Sequence, residues 1–172
     1  EAATHPLILD ALENFLGPNI ELITNKHNHL MVRPPNSGVV PWHAGEHIYE
    51  PVLFTALIYL QESTIENGCI RIVPGSHQRP FHSPKRYPDG EFTSQALYHR
   101  ALPVPMPAGG VILFDDRLYH GADTNNTDQS RRSMTLAYRA HDAHDVLKED
   151  PEKTLVRGER VYTGHPHPFP GS

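Results

Sequence analysis

The chain has one cysteine, Cys69. That excludes an internal disulfide and points to a reducing, cytoplasmic setting. Basic residues are outnumbered, 15 Lys and Arg against 20 Asp and Glu, for a net charge of -5. A nucleic-acid polymer is therefore not an expected partner. No apolar run approaches the ~20 residues that span a bilayer, so no membrane partner is expected either. No signal peptide is visible. The chain begins at Glu1 without an initiator Met, which leaves open a segment before it.

What is abundant is proline, glycine and histidine: 17, 12 and 13 in 172 residues. Proline and glycine spread along the chain favour a turn-rich, strand-rich fold over a helix bundle. The length suits one domain with one core. Most of the histidines must be ordinary, and only those in a special arrangement carry a metal hypothesis.

Residues 5–16 read as one amphipathic helix. Thr4 is the expected N-cap, Pro6 sits in the first turn, Leu7, Leu9, Ala11, Leu12, Phe15 and Leu16 form the stripe, and Gly17 is the C-terminal stop. Short apolar and alternating runs then take over, with strands expected at 20–24, 28–33, 52–60, 69–73, 111–114 and 132–140. Glu66-Asn67-Gly68 is a turn signal, and 74–103 reads mostly as loop. Residues 141–172 read as a surface extension with a short helix near 146–149 and histidines 141, 144, 165 and 167 on the surface. Many short strands after one early helix suggest a sandwich or, within the mainly β class, a double-stranded β-helix of the cupin-like jelly-roll type with few flanking helices.

Chemistry concentrates in three residues: His43 after Pro41-Trp42, His120 at the end of the run from Gly110, and Arg131. Non-haem Fe(II) oxygenases hold iron through two histidines and one carboxylate on one face, leaving positions for a co-substrate and O₂. A dicarboxylate co-substrate such as 2-oxoglutarate also needs a fixed cation for its far end, and arginine offers a bidentate fork.

Four segments in order strengthen this reading: Pro41-Trp42-His43, then Asn67-Gly68 leading to Pro74-Gly75-Ser76-His77, then Gly109-Gly110 to His120, then Arg131. Together they resemble the phytanoyl-CoA dioxygenase-like family over roughly residues 1–140. The family's pattern is Trp-His-x-Asp, then Asn-Gly and Pro-Gly-Ser-His, then a histidine followed by an arginine. The resemblance implies that His43 and His120 bind Fe(II) and that Arg131 grips the C5 carboxylate of 2-oxoglutarate, with O₂ as co-substrate. Asn67 to Ser76 then serve as turn and corner, and His77 as a hydrogen-bonded loop residue.

One position departs from the pattern. His43-Ala44-Gly45 has glycine where the family has aspartate. Three readings follow. Gly45 is a vacant ligand position open to chloride, as in the halogenases of this enzyme class, which carry Ala or Gly there. A displaced carboxylate, with Glu46 as candidate, keeps the centre a hydroxylase. Or the chain is a binding relative that has lost its metal. The first makes the chain a halogenase that chlorinates an unactivated C–H of a free small molecule from specialised metabolism, a nucleotide among the candidates.

Other residues fall into second rank. Asn28 and His29 lie on the strand before the metal strand and are candidates to line the co-substrate pocket. Lys26, Arg33 and Arg71 are candidate anion contacts. Asp116 and Arg117 stand near His120, either as hydrogen-bond partners of its imidazole or as a surface pair, and Asp115 and Asp116 are not expected to bind iron. Arg132 should point away from the site by strand alternation. Trp42 and Tyr49 read as packing residues, and Tyr138 and Arg139 as barrel wall.

Overall fold

The structure is a computed structural model, described over residues 1–25, 27–45, 52–78, 94–142 and 152–159. Helix α1 (Pro6–Leu16) is followed by strands β1 (Ile20–Ile23), β2 (His29–Arg33), β3 (Val40–His43), β4 (Phe54–Tyr59) and β5 (Ile70–Ile72). Then come α2 (Ser94–Arg100), β6 (Leu102–Val104), β7 (Val111–Asp115), β8 (His120–Ala122), β9 (Arg131–Ala140) and β10 (Lys153–Arg157). Two antiparallel sheets result. One runs β10-β1-β9-β4-β7, with β2 also on β9, and the other runs β3-β8-β5-β6. This is the mainly β, double-stranded β-helix architecture.

The long strand β9 organises the first sheet. Along one edge it pairs first with β2, from Arg33↔Arg131 to His29↔Thr135, and then with β1, from Ile23↔Ala137 to Ile20↔Ala140. Its other edge pairs with β4 from Tyr59↔Ser133 to Phe54↔Tyr138. Strand alternation sends even-numbered residues to one face and odd-numbered residues to the other. On the even face Ile20, Leu22, Ala56, Ile58, Leu136 and Tyr138 pack beneath α1. On the odd face Leu57 and Tyr59 meet Ile70 of the second sheet in a core completed by Phe114 and Leu118. The odd residues of β2, β4 and β9 therefore line the interior between the sheets, and the site is built there.

Helix α1 differs from its expected cap and stripe. His5, not Thr4, is the N-cap, with Thr4 drawn into a preceding 3₁₀ turn. Ile8, Leu9, Leu12 and Leu16 are buried, whereas Leu7 is 75% and Phe15 64% exposed. Gly17 ends the helix at φ 77, a conformation that favours glycine.

Two further expectations are corrected. The span 74–103 contains α2 and the start of β6. Burial of Leu97 and Ala101 against Val73 and Tyr119 supplies the tertiary contact that a seven-residue helix needs. Residues 141–172 are not merely a surface extension, because β10 adds to the sheet edge beside β1. Arg157 of β10 bridges to Asp10 and Glu13 of α1. The helix expected near 146–149 lies outside the described residues, as do His144, His165 and His167. His141, expected on the surface, is buried with its Nδ1 2.8 Å from Glu21 Oε1.

Candidate active site

His43 and His120 are direct partners across the β3–β8 pair, with ring centroids 4.1 Å apart and planes inclined at 56°. Each ring is fixed in the same manner. His43 Nδ1 lies 2.8 Å from the carbonyl of Pro41, and His120 Nδ1 2.8 Å from the carbonyl of Leu118. A carbonyl only accepts, so Nδ1 carries the proton in the neutral ring and Nε2 keeps its lone pair, as a metal-binding imidazole requires. Burial, with the neighbouring His43, lowers the His120 pKa from 6.5 to about 4, which keeps this ring neutral. The donor set thus fits a divalent metal.

The two rings border a cavity of about 220 Å³ between the sheets. Its walls are largely apolar, with Met31, Leu57, Ile70 and Phe114 contributing. Arg131 also lines it, 5% exposed, while its neighbour Arg132 is exposed, as alternation requires. Arg131 NH2 donates to the Gly68 carbonyl at 2.9 Å, and its guanidinium carbon sits 5.6 Å from the Tyr59 ring centroid. The Asn67-Gly68 turn therefore does more than reverse the chain, since it presents a carbonyl that aims the arginine. Gly68 is needed there. Its φ is +74, and a Cβ would come within 2.3 Å of the Asp123 carbonyl. Among the described residues Arg131 forms no ion pair with a carboxylate, so a buried cation faces the cavity. Burial lowers its pKa.

Several lining residues went unnoticed in the sequence. Thr55 and Thr135 project into the cavity, and neither hydroxyl has a hydrogen-bond partner among the described residues. Tyr59 lines it as well, its pKa pushed to about 12 by burial. The signal was the register: Thr55, Tyr59, Arg131 and Thr135 are all odd-numbered on paired strands, and one of them was already a candidate. His27, in the break between β1 and β2 with φ 49, was also missed.

Asn28 does not line the cavity. It precedes β2, is exposed and donates to the Thr24 carbonyl at 3.4 Å, while its flanking residues His27 and His29 line the cavity. Of the candidate anion contacts, Arg33 lines the cavity. Arg71 instead pairs with Asp123 at 2.9 Å and lies over the Tyr98 ring at 4.3 Å, and Lys26 lies outside the described residues. Trp42 packs beside Val73, Leu97 and Tyr119. Glu46 and Tyr49 lie outside the described residues.

The Asp116 side chain lies against Gly45. A Cβ placed on Gly45 would fall 1.9 Å from Asp116 Oδ2 and 2.6 Å from its Cγ. The Gly45 N–H donates to the Asp116 carbonyl at 2.8 Å, so the two residues are locked together through their backbones. Asp116 is 3% exposed and lines the same cavity as the two histidines. Arg117 does not reach the imidazole. It donates through its backbone N–H and its Nε, each at 2.9 Å, to the Asp115 carboxylate.

A family model described as phytanoyl-CoA dioxygenase matches residues 1–133. The chain is 32% identical over 167 residues to a probable alpha-ketoglutarate-dependent hypophosphite dioxygenase of Stutzerimonas stutzeri, which covers 88% of this chain. The match spans only 57% of that relative's length. Among solved structures, the nickel complex of the non-heme monooxygenase ThoJ superposes with a TM-score of 0.72 at 26% identity, over 99% of this chain and 64% of that one. The epimerase SnoN, in complex with Fe3+, alpha ketoglutarate and nogalamycin RO, shares the fold with a TM-score of 0.68 at 24% identity, over 92% of this chain and 70% of that one.

Proposed function

Because the chain belongs to the phytanoyl-CoA dioxygenase family of Fe(II)/2-oxoglutarate oxygenases, we propose that it carries the iron centre of an enzyme that oxidises an unactivated C–H bond of a small molecule. The observation that carries the reading is the relation between the two histidines and the arginine. Two oriented imidazoles stand on one side of a cavity into which a buried guanidinium projects.

His43 and His120 hold the metal through Nε2, their Nδ1 protons retained by the Pro41 and Leu118 carbonyls. Bound iron with 2-oxoglutarate and O₂ supplies the oxidising power. Arg131 binds the far carboxylate of 2-oxoglutarate, and the Thr55 and Thr135 hydroxyls are positioned to donate to a bound anion. Leu57, Ile70 and Phe114 keep bulk water from the reacting carbon. Arg33, directly opposite Arg131 on the neighbouring strand, adds a cation suited to a substrate with an anionic group, a nucleotide included.

Hydroxylation is the favoured outcome, because a carboxylate already occupies the space beside Gly45. Chloride transfer is the second reading, favoured by the absence of a ligating side chain at Gly45 itself. It requires Asp116 to vacate that space for a chloride ion.

The test is an anaerobic titration of the chain with Fe(II) and 2-oxoglutarate, followed by mass spectrometry of candidate substrates incubated in air with and without chloride. A weak visible charge-transfer band and a product heavier by one oxygen, unaffected by chloride, are expected. A chlorine isotope doublet would establish the second reading. Absence of both band and metal binding would leave a binding protein without iron.

A further inference from the structure

We propose that the Asp116 carboxylate is the third protein ligand of the metal, taking from the β7–β8 turn the role that the family's pattern gives to residue 45. The inference rests on the reading of His43 and His120 as a metal pair and goes beyond it by naming the donor that the sequence lacks.

The argument begins with space. Gly45 has no positive φ, so its backbone does not demand glycine. What demands it is Asp116: the position of a residue-45 Cβ nearly coincides with Asp116 Oδ2. The usual His-x-Asp side chain and this Asp116 side chain are therefore alternatives for one volume.

The local chain explains why Asp116 points inward. Asp115 and Asp116 are adjacent and divide between two environments. Asp115 turns to Arg117 and is held by its guanidinium. Asp116 is fastened by its backbone on two sides, its N–H donating to the Leu53 carbonyl at 2.9 Å and its carbonyl accepting from Gly45. Its Oδ1 is 3.7 Å from His27 Nε2, and its Oδ2 lies where a residue-45 Cβ would sit. The same turn carries Leu118, whose carbonyl orients His120, so donor and imidazole belong to one rigid segment.

The chemistry completes the set. Two imidazoles and one carboxylate on one side, with open positions beyond, form the donor arrangement of a non-haem Fe(II) oxygenase. Among the described residues no three His, Cys, Asp or Glu side chains are already gathered as a metal cluster, so binding includes a rearrangement of the Asp116 side chain.

The experiment is anaerobic Co(II) titration of the full 172-residue chain, read by calorimetry and by the Co(II) d–d spectrum, on wild type, Asp116→Asn, and the exchange variant Gly45→Asp/Asp116→Gly. Wild type should bind one Co(II). Asp116→Asn should bind at least roughly 100-fold more weakly, beyond what loss of an outer hydrogen-bond partner causes. The exchange variant should recover affinity and spectrum, because it returns the carboxylate to the other end of the same volume. An Asp116→Asn protein with wild-type affinity and spectrum overturns the assignment while leaving the metal centre intact. Wild type that binds no Co(II) overturns the metal centre and the assignment together. Should Asp116→Asn fail to fold, a wild-type crystal soaked with Co(II) decides. An Asp116 oxygen on the metal supports the proposal, and water or chloride in its place refutes it.

Discussion

Arg33 and Arg131 face each other directly across the β2–β9 pair, and both side chains line the cavity. Like charges in that relation repel, and burial lowers the pKa of each. An anion between them relieves the repulsion. Arg131→Gln is expected to weaken 2-oxoglutarate binding by about 2–5 kcal/mol, the range for removing one partner of a buried charged pair. Arg33 also donates to the Gly38 and Asp123 carbonyls, so Arg33→Gln should cost the ligand-free chain roughly 0.5–1.5 kcal/mol and weaken anion binding less. Calorimetric titration with Mn(II) in place of iron, alongside thermal melts, separates the two effects.

The pH dependence of the metal-free chain follows from His120. Its folded pKa is about 4 against an ordinary 6.5, so between these values the unfolded chain binds the proton and the folded chain does not. The stability this site contributes is present above pH 6.5 and is lost as pH falls from 6.5 toward 4. Melting temperatures of wild type and His120→Gln across that window should therefore converge as the pH drops. A constant difference would contradict the neutral, buried imidazole.

Glu21 and Arg139 are cross-strand partners with almost no exposure, 3.1 Å apart, and His141 Nδ1 joins Glu21 at 2.8 Å. Glu21→Gln removes the anion from this buried group and should cost about 3–5 kcal/mol. Urea unfolding measures it. A shift below roughly 1 kcal/mol would mean that Arg139 is neutralised by other means.

Helix α1 offers a paired control. Leu12 is fully buried over the first sheet and Leu7 is exposed. Leu12→Ala should cost about 2–5 kcal/mol, and Leu7→Ala should stay within about 0.5 kcal/mol. The same urea curves check both.

The histidine pair and the arginine were legible because their segments come in a fixed order around a known kind of barrel, and because strand alternation separates Arg131 from Arg132. The odd-face register of β4 and β9 was legible in principle, and it would have led from Arg131 to Thr135 and Thr55. Other features were hidden. Strand β10 forms only because β1 offers an edge and α1 offers Asp10 and Glu13 to Arg157. Helix α2 depends on Leu97 finding a buried site, which local propensity does not reveal. Asn28 was misplaced because the break before β2 turns its neighbours, rather than Asn28 itself, into the cavity.

The sequence by itself determined the two-sheet class and the identities of the chemically able side chains, because alternation and turn residues act over a few neighbouring positions. What stands beside Gly45 was decided only by tertiary structure. Position 45 and position 116 are far apart in the chain and meet through one backbone hydrogen bond between the segments that follow β3 and β7. No local pattern records that meeting, and yet it sets which side chain lies against Gly45.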